Sequence, residues 1–202
     1  TREETKTRVK VDSILSREKD LALALKTPRI RIETPVMGKA QVGIEVPNPE
    51  SALVALRNLI DSTEFQKLRV KAKLPIPMGK ASGGETIVVD LAKMPHLLIA
   101  GATGAGKSVF INTIVSCLIM EKTPAEMKLL LVDPKRVELT PYNGIPHLLT
   151  PVVVETDQVV SLLKGLIREM LNRYRRMEEV GVRNIDSFNR KMPDRMPYLV
   201  VA

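Results

Sequence analysis

An eight-residue glycine-rich run near the middle of the chain limits the fold more than any other feature of the sequence. It follows the pattern G-x-x-x-x-G-K-[ST] and consists of Gly101, Ala102, Thr103, Gly104, Ala105, Gly106, Lys107 and Ser108. A short apolar run, residues 97–100, precedes it, and apolar residues recur at helical spacing after it. The sequence therefore predicts a buried strand, a glycine-rich loop and a helix, the order in which this motif binds phosphate.

The residue types in this loop suit a triphosphate. Glycines let successive backbone N–H groups turn towards phosphate oxygens, and the N-terminus of the next helix adds positive partial charge. Lys107 is expected to reach the β and γ phosphates, and the Ser108 hydroxyl to ligate Mg²⁺. The predicted nucleotide contacts are residues 101–108 and Val109, with Lys107 and Ser108 as the catalytic residues. The alternative is a glycine-rich turn that carries Lys-Ser by coincidence.

The composition restricts the class of protein and of partner. The chain has 202 residues, 44% of them hydrophobic and 27% charged, which is enough for a substantial core. Its net charge of +8 favours a polyanionic partner, because Lys and Arg side chains neutralise phosphates. With 3% aromatic residues, base stacking on an aromatic platform is not expected. No apolar run reaches the length of a membrane span, so we expect a soluble chain.

Two residue types that often carry chemistry are expected to be structural here. Cys117 is the single cysteine, so no internal disulfide can form and a reducing compartment is indicated. Its apolar neighbours predict a core position. His96 and His147 are expected to pack or to join polar networks, because no second ligand stands at a metal-binding spacing.

Residues 1–64 are predicted to form a small α+β domain. Charged and aliphatic residues alternate in two runs, which is typical of strands with one buried face. A later helix start combines a capping side chain, a proline and a carboxylate. The predicted elements are a helix over residues 16–25, a hairpin of strands 29–33 and 40–46, and a helix over residues 48–60.

Residues 65–202 are predicted to form an α/β domain. Around the glycine-rich loop the order strand, helix, strand indicates a crossover unit, and therefore a mainly parallel sheet. The predicted elements are a connection or edge strand over 66–80, strands 86–90 and 127–132, a long helix from 156 to 179 ended by Gly181, and a last strand 198–202. Several basic residues lie on the long helix, and we interpret them as a solvated face, with DNA or subunit contact as the alternative.

The chain resembles the FtsK/SpoIIIE family of bacterial DNA translocases. The motifs that carry the resemblance extend over nearly the whole chain and keep their order. They are 20–25, 31–33, 43–48, 90–100 running into the glycine-rich loop, 131–135, 142–149, 169–170, 173–174 and 181–184. Because these motifs are several and ordered, the resemblance is more specific than the loop alone.

The resemblance implies a RecA-like P-loop ATPase domain preceded by a small α domain. It further implies that ATP hydrolysis with Mg²⁺ moves double-stranded DNA through a hexameric ring of identical subunits during cell division or sporulation. A neighbouring subunit is expected to supply an arginine to the site. Membrane-spanning segments of the family are absent from these 202 residues, so we expect a cytoplasmic motor portion of a protein anchored in the inner membrane at the division septum.

Asp133 admits two interpretations. It follows an apolar strand, as the Mg²⁺-assisting carboxylate of an NTPase does. The resemblance instead places that carboxylate after the strand 199–201, beyond Ala202. We therefore expect these 202 residues to bind ATP without completing sustained hydrolysis. Asp133 and Lys135 are then expected either near the nucleotide or the next subunit, or at a purely structural strand end.

Two other classes of function remain open from the sequence. One is a nucleotide-binding module for ring assembly or DNA binding that does not turn over ATP. The other is a small-molecule kinase, for which we find no lid or acceptor site in the sequence.

Overall fold

The structure is a computed structural model that describes residues 9–36, 38, 41–50 and 52–202. These residues form two compact units. The smaller unit contains the described residues up to Val54 together with Ser82–Gly84, and the larger contains Ala55–Ala81 and Glu85–Ala202. Residues 55–64, which the sequence analysis assigned to the small domain, therefore lie in the larger unit. They do so because two short helices of this region pack on a β-hairpin of that unit.

The smaller unit contains two short helices and one hairpin. Its elements are α1 (Val11–Leu15), α2 (Glu18–Ala24), β1 (Arg31–Glu33) and β2 (Gly43–Glu45). The predicted hairpin is confirmed: β1 and β2 are antiparallel, with Arg31 opposite Glu45 and an ion pair of 3.7 Å between the two side chains. The predicted turn and second strand include residues 37, 39 and 40, which lie outside the described residues. Ser16 follows α1 instead of capping α2, whose N-cap is Arg17.

The predicted helix start at residues 48–50 is wrong. Residues 52–55 are not helical, and the side chain of Leu53 is 90% exposed. The helix begins only at Leu56, where Leu59 and Ile60 are buried. A capping sequence does not suffice, because most helical stability comes from packing an apolar face.

The larger unit contains the remaining helices and strands. They are α3 (Leu56–Ile60), α4 (Thr63–Arg69), β3 (Pro75–Lys80), β4 (Thr86–Asp90), α5 (Lys107–Glu121), β5 (Met127–Leu130), α6 (Thr156–Val180), α7 (Ile185–Lys191) and β6 (Tyr198–Val201), with 3₁₀ turns at Leu91–Lys93 and Thr140–Tyr142. Among these described helices, none combines the length and the apolar character that a membrane crossing requires.

The segment 66–80 is more ordered than the sequence indicated. Its first residues belong to α4, where the Ser62 hydroxyl oxygen accepts the N–H of Phe65 at 3.2 Å. Phe65 is fully buried and anchors this helix. The last residues form β3, which pairs with β4 in an antiparallel hairpin. Proline in β3 is tolerated because β4 is the only strand that pairs with β3 within the described residues.

Parallel pairing centres on β5. Its partner is β6, with Met127 opposite Tyr198 and Leu130 opposite Val201, and the connection between them runs through α6 and α7. Two parallel bridges, from Leu129 to Leu148 and from Val132 to Val153, extend the pairing.

The predicted strand over residues 97–100 forms no ladder with any described segment. Leu97 and Ile99 pack against the main hydrophobic core, whereas Leu98 is 90% exposed. Alternate side chains of this run therefore face the core, as they would in a strand, although its backbone pairs with no other strand among the described residues. The crossover unit in the structure is consequently β5, α6, α7 and β6, not the unit predicted around the glycine-rich loop.

The main core fixes the direction of α5. Val115 and Leu118 on this helix are buried against residues of β3 and β5, among them Ile76 and Leu129. Because one face of α5 is held along its length, its N-terminal residue Lys107 has a defined position at the edge of the core.

The α6–α7 segment forms a smaller cluster of its own. Gly181, with φ 70°, ends α6, and the N–H of Val182 donates to the carbonyl of Met177 at 2.9 Å. This is the αL termination that glycine favours. Phe188 of α7 is buried with Met177 and Met196. The predicted long helix and its end at Gly181 are confirmed.

Candidate functional site

The glycine-rich loop forms a concave turn that leads directly into α5. Gly104 and Gly106 have φ values of 80° and 88°, a region that residues with a Cβ rarely adopt. The first intrahelical bond joins the N–H of Phe110 to the carbonyl of Gly106 at 2.9 Å. The four amides of residues 106–109 therefore have no intrahelical acceptor. Gly106, the N-cap, offers no side chain to them.

Lys107 lies over this turn. Its ammonium group donates to the carbonyl oxygens of Gly101 and Ala102 at 2.6 and 2.8 Å. A Cβ at Gly101 would lie 3.0 Å from the Cβ of Ala105, so the two arms of the loop approach each other as closely as glycine allows. Successive amides, a helix N-terminus and an ammonium group converge here, which is the donor set that phosphate oxygens need. The loop thus fits the phosphate chain of a nucleotide.

Ser108 occupies the first turn of α5 and has a partner that the sequence analysis did not identify. Its hydroxyl donates to the Oε1 atom of Glu138 at 2.5 Å. The backbone carbonyl of Ser108 accepts the side-chain amide of Asn112 at 3.0 Å, and the Asn112 side-chain oxygen accepts the Tyr142 hydroxyl at 2.8 Å. The Ser108 hydroxyl is therefore oriented by Glu138, while Asn112 and Tyr142 contact the helix turn on which the serine lies.

Asp133 organises the loop that carries Glu138. Its Oδ2 atom accepts the N–H groups of Glu138 and Leu139 at 2.9 and 2.8 Å, and the residue is 4% exposed. Burial by itself raises the pKa of this carboxyl group, but backbone N–H donors outweigh it and the net effect lowers the pKa below its ordinary value. In this structure the Asp133 carboxylate is engaged by its own loop.

A cavity of about 910 Å³ brings together four of the predicted residues, Lys107, Ser108, Asp133 and Lys135, while residues 101–106 and 109 do not line it. Its polar lining comprises His96, Lys107, Ser108, Asp133, Lys135 and Glu138, and its apolar lining includes Leu97, Ile99 and residues of β6. Residues 101–106 are exposed at the surface, and the Val109 side chain is 70% exposed. Val109 can therefore contribute its amide, while its side chain faces away.

Metal binding by protein ligands alone is not indicated at this cavity. Within the residues that the structure describes, no group of three or more His, Cys, Asp or Glu side chains could hold an ion. Mg²⁺ in nucleotide sites is usually held by one or two protein groups together with substrate phosphates. The Ser108 hydroxyl and the Glu138 carboxylate are oxygen donors of the kind that this ion prefers.

The remaining candidates have structural contacts. His147 is buried and its Nε2 atom lies 2.7 Å from the carbonyl of Lys122. Cys117 is buried, and burial, followed by the nearby Glu121 carboxylate, raises the pKa of its thiol to about 12.

Two arginines on the basic face of α6 are engaged within the chain. Arg173 donates to the carbonyl of Pro197 and to the Glu169 carboxylate, both at 2.7 Å. Arg176 pairs with Asp194 at 2.7 Å and lies 5.1 Å from the centre of the Phe188 ring. These two side chains therefore attach α6 to the segment around α7. The interpretation of a uniformly solvated basic face is wrong for them.

Glu138 could not be recognised from the sequence, because no periodic or spaced pattern marks it. It stands five residues after Asp133, in a loop whose fold depends on the Asp133 carboxylate. An ion pair from Arg136 to Glu155 ties the same loop to the residue preceding α6. The one sequence feature that points towards Glu138 is its place in the loop that follows the predicted strand 127–132, and this feature alone is too weak to assign a role.

Comparison with known protein families gives two matches in chain order. The model of the FtsK/SpoIIIE family matches residues 55–201, and the model described as the FtsK alpha domain matches residues 2–48.

Relatives of known name are nearly half identical to the chain over the aligned region. A DNA translocase FtsK of Caldanaerobacter subterraneus subsp. tengcongensis is 48% identical over 193 residues, covering 96% of this chain and 27% of that protein. The DNA translocase SpoIIIE of Bacillus subtilis is 46% identical, with 96% and 26% covered, and the DNA translocase SftA of the same organism is 47% identical, with 96% and 21% covered. The chain thus spans about a quarter of the length of these relatives.

Solved structures agree on the fold. The pCW3 conjugation coupling protein TcpA, in its monomer form with ATPγS, superposes with a TM-score of 0.60 at 23% identity, covering 96% of this chain and 51% of TcpA. The cytoplasmic domain of the Type VII secretion ATPase EccC of Thermomonospora curvata gives a TM-score of 0.55 at 25% identity, with 64% and 17% covered. The predicted fold class, α/β with a RecA-like P-loop ATPase domain, is confirmed.

Proposed function

Because the chain belongs to the FtsK/SpoIIIE family, we propose that it is the nucleotide-binding portion of an ATP-driven motor that moves double-stranded DNA. The observation that carries this proposal is the loop geometry. The amides at the start of α5 have no intrahelical acceptor, Lys107 lies over the loop, and Lys107 and Ser108 line one cavity. The names of the relatives, DNA translocases, give the substrate class.

In this proposal the chain contributes positioning and positive charge. The amides of residues 106–109 and the Lys107 ammonium hold the phosphate chain, and the Ser108 oxygen faces the metal position. Mg²⁺, when bound, neutralises charge on the phosphate oxygens. Moving Lys107 from the carbonyls of Gly101 and Ala102 to phosphate oxygens replaces two neutral acceptors by charged ones, which strengthens its hydrogen bonds.

The assembly and location of the motor are further parts of the proposal. Six subunits form a ring around duplex DNA, and an arginine of the neighbouring subunit completes each site. The net charge of +8 supports a DNA partner. The family resemblance supports a protein anchored at the division septum, with this portion in the cytoplasm. We also propose that the two units are separate domains and that sustained hydrolysis is a property of the longer protein.

The test of nucleotide binding compares Lys107→Ala with Lys164→Ala. The second variant removes an exposed lysine of α6 that does not line the cavity. Removing a charged hydrogen-bond donor from phosphate costs about 1.5–3 kcal/mol, so Lys107→Ala should weaken ATPγS binding roughly 10- to 100-fold, measured by calorimetric titration with Mg²⁺ present. Lys164→Ala should bind as the unmodified chain does. Equal affinity of the Lys107→Ala and unmodified chains would contradict the site assignment.

The test of the motor uses the longer protein. Lys107→Ala should abolish ATP-driven movement along duplex DNA, followed by displacement of a labelled DNA strand or by single-molecule tracking. The alternative is a scaffold that needs no nucleotide: it moves no DNA in its unmodified form and keeps its DNA binding and assembly with this substitution. Absence of ATP-driven movement in the unmodified protein, or full movement in the Lys107→Ala variant, would contradict the proposal. Multiple-turnover hydrolysis by the 202-residue chain itself would contradict the assignment of turnover to the longer protein.

A further inference from the structure

The backbone at Glu138 is held beside the cavity by its own loop. The N–H groups of Glu138 and Leu139 both donate to the buried Asp133 carboxylate, and Leu139 belongs to the main core. The backbone at Glu138 therefore has little freedom to move away from α5. With its backbone held in this way and its carboxylate bonded to the Ser108 hydroxyl, Glu138 meets the requirement that a binding group be positioned before its ligand arrives.

In the hydrogen bond between Ser108 and Glu138, the serine hydroxyl is the donor and the carboxylate is the acceptor. The serine hydroxyl donates its proton to Oε1 at 2.5 Å, which leaves the lone pairs of the serine oxygen for other partners. A hydroxyl binds a cation through these lone pairs, so its proton must be accepted elsewhere. Within the described residues, Glu138 is the side chain that accepts it.

We propose that Glu138 is a further residue of the Mg²⁺–nucleotide site, where its carboxylate orients the Ser108 hydroxyl towards the ion and adds negative charge at the metal position. This inference rests on the proposed nucleotide function of the loop. It assigns to Glu138 a role in coupling metal binding to nucleotide binding. Glu138 lines the same cavity as Lys107 and Ser108, which places its charge on the side of the loop where phosphates and ion meet.

The proposal predicts that removing the Glu138 charge affects the nucleotide affinity differently in the presence and in the absence of Mg²⁺. With Mg²⁺ present, the Glu138 carboxylate attracts the ion and holds the serine hydroxyl in its binding orientation. Without Mg²⁺, the same carboxylate repels the phosphate oxygens of the nucleotide. Removing its charge should therefore weaken nucleotide binding in Mg²⁺ and strengthen it, or leave it unchanged, in EDTA. A residue that merely supports the fold would shift both affinities in the same direction.

The experiment measures the ratio of the ATPγS dissociation constants in EDTA and in Mg²⁺ for the 202-residue chain. This ratio is the coupling between the two ligands. Glu138→Gln should lower it roughly tenfold, within the usual range for coupled sites. The matched control is Glu155→Gln, which removes a carboxylate that pairs with Arg136 of the same loop but does not line the cavity. Its ratio should stay within about twofold of the unmodified value.

A double variant tests whether the effect passes through Ser108. In a Ser108→Ala background, Glu138→Gln should change the ratio much less than it does alone, because residues that act as a unit are not additive. Additive changes would show that Glu138 acts without the serine, and the orienting role would be wrong. If Glu138→Gln is not folded by circular dichroism, Glu138→Ala carries the same test, with the same expected fall in the ratio.

The outcomes separate this inference from the function on which it rests. If the unmodified chain does not bind ATPγS, the proposed function fails. If it binds ATPγS with Mg²⁺ dependence and both Glu138 variants keep the full ratio, the nucleotide site stands and the role of Glu138 is refuted.

Discussion

Replacing Asp133 should destabilise the larger unit, and alanine at this position should cost more stability than asparagine. One carboxylate oxygen, Oδ2, accepts both the Glu138 and the Leu139 N–H groups at a position that is 4% exposed. Asp133→Ala leaves both buried donors without this acceptor, and an unsatisfied buried donor costs about 1–3 kcal/mol. We therefore expect a loss of roughly 2–4 kcal/mol in the free energy of unfolding.

Asp133→Asn is the informative comparison. The amide of asparagine can place its carbonyl oxygen where Oδ2 lies, so both N–H groups keep an acceptor. The charge is lost, and hydrogen bonds to charged acceptors are about twice as strong as those to neutral ones. The backbone N–H groups of Thr140 and Arg136, which also lower the pKa of Asp133, lose the attraction of the second carboxylate oxygen. The expected loss is about 1–2 kcal/mol, smaller than for alanine.

The difference between aspartate and asparagine should depend on pH. The folded-state pKa of Asp133 lies below the ordinary value of 3.8. The stabilisation by the ionised carboxylate is therefore fully present above that ordinary value and is lost as the pH falls through the folded-state pKa. Asp133→Asn should consequently be most destabilising at neutral pH and approach the unmodified chain in strong acid.

Two measurements decide this prediction. Urea unfolding followed by circular dichroism gives the free energies at neutral and acidic pH. Hydrogen exchange of the Glu138 and Leu139 amides reports the two bonds directly, with protection lost in the alanine variant and reduced in the asparagine variant. Equal stability of the two variants, or an asparagine effect that does not change with pH, would refute the assignment of Asp133 as the charged anchor of this loop.

Two further predictions concern α5 and its loop. Gly106→Ala should cost about 1–2 kcal/mol and weaken ATPγS binding, because the residue has φ 88° while a Cβ there would meet nothing within 4 Å, so the cost is conformational. Gly165→Ala, in the middle of α6 and equally free of contacts, should be neutral or stabilising in the same urea assay, and equal losses for both variants would contradict this reasoning. Cys117, whose thiol pKa is raised to about 12, should react with iodoacetamide only after unfolding, since the thiolate is the reactive form. Modification of the folded chain at the rate of a free thiol would show that this side chain is not shielded.

The sequence correctly predicted the elements whose formation depends on residues that are close together in the chain. The glycine-rich loop, the start of α5 and the end of α6 at Gly181 follow from backbone preferences of glycine and from apolar periodicity. The β1–β2 hairpin likewise follows from alternating residues. The family resemblance added the fold class, which no single local pattern could give.

Features that depend on tertiary partners were missed. The run 97–100 has the composition of a strand, but a strand needs a neighbouring strand to pair with. Among the described residues, the parallel ladder is formed by β5 and β6, and the run 97–100 has no part in it. A strong capping sequence at residues 48–50 does not start a helix, whereas Ser62 with Phe65 does, because Phe65 has a core to enter. Glu138 reaches Ser108 across 30 positions of sequence. No spacing rule anticipates such a contact.

The ion pair between Arg136 and Glu155 has a mechanical consequence. It joins the loop beside the cavity to the residue that precedes α6, a helix of 25 residues and therefore about 37 Å in length. A tilt of about five degrees at one end of a rod this long displaces the other end by about 3 Å. Any displacement of the loop that this ion pair passes to α6 would therefore be larger at the far end of the helix than at Glu155.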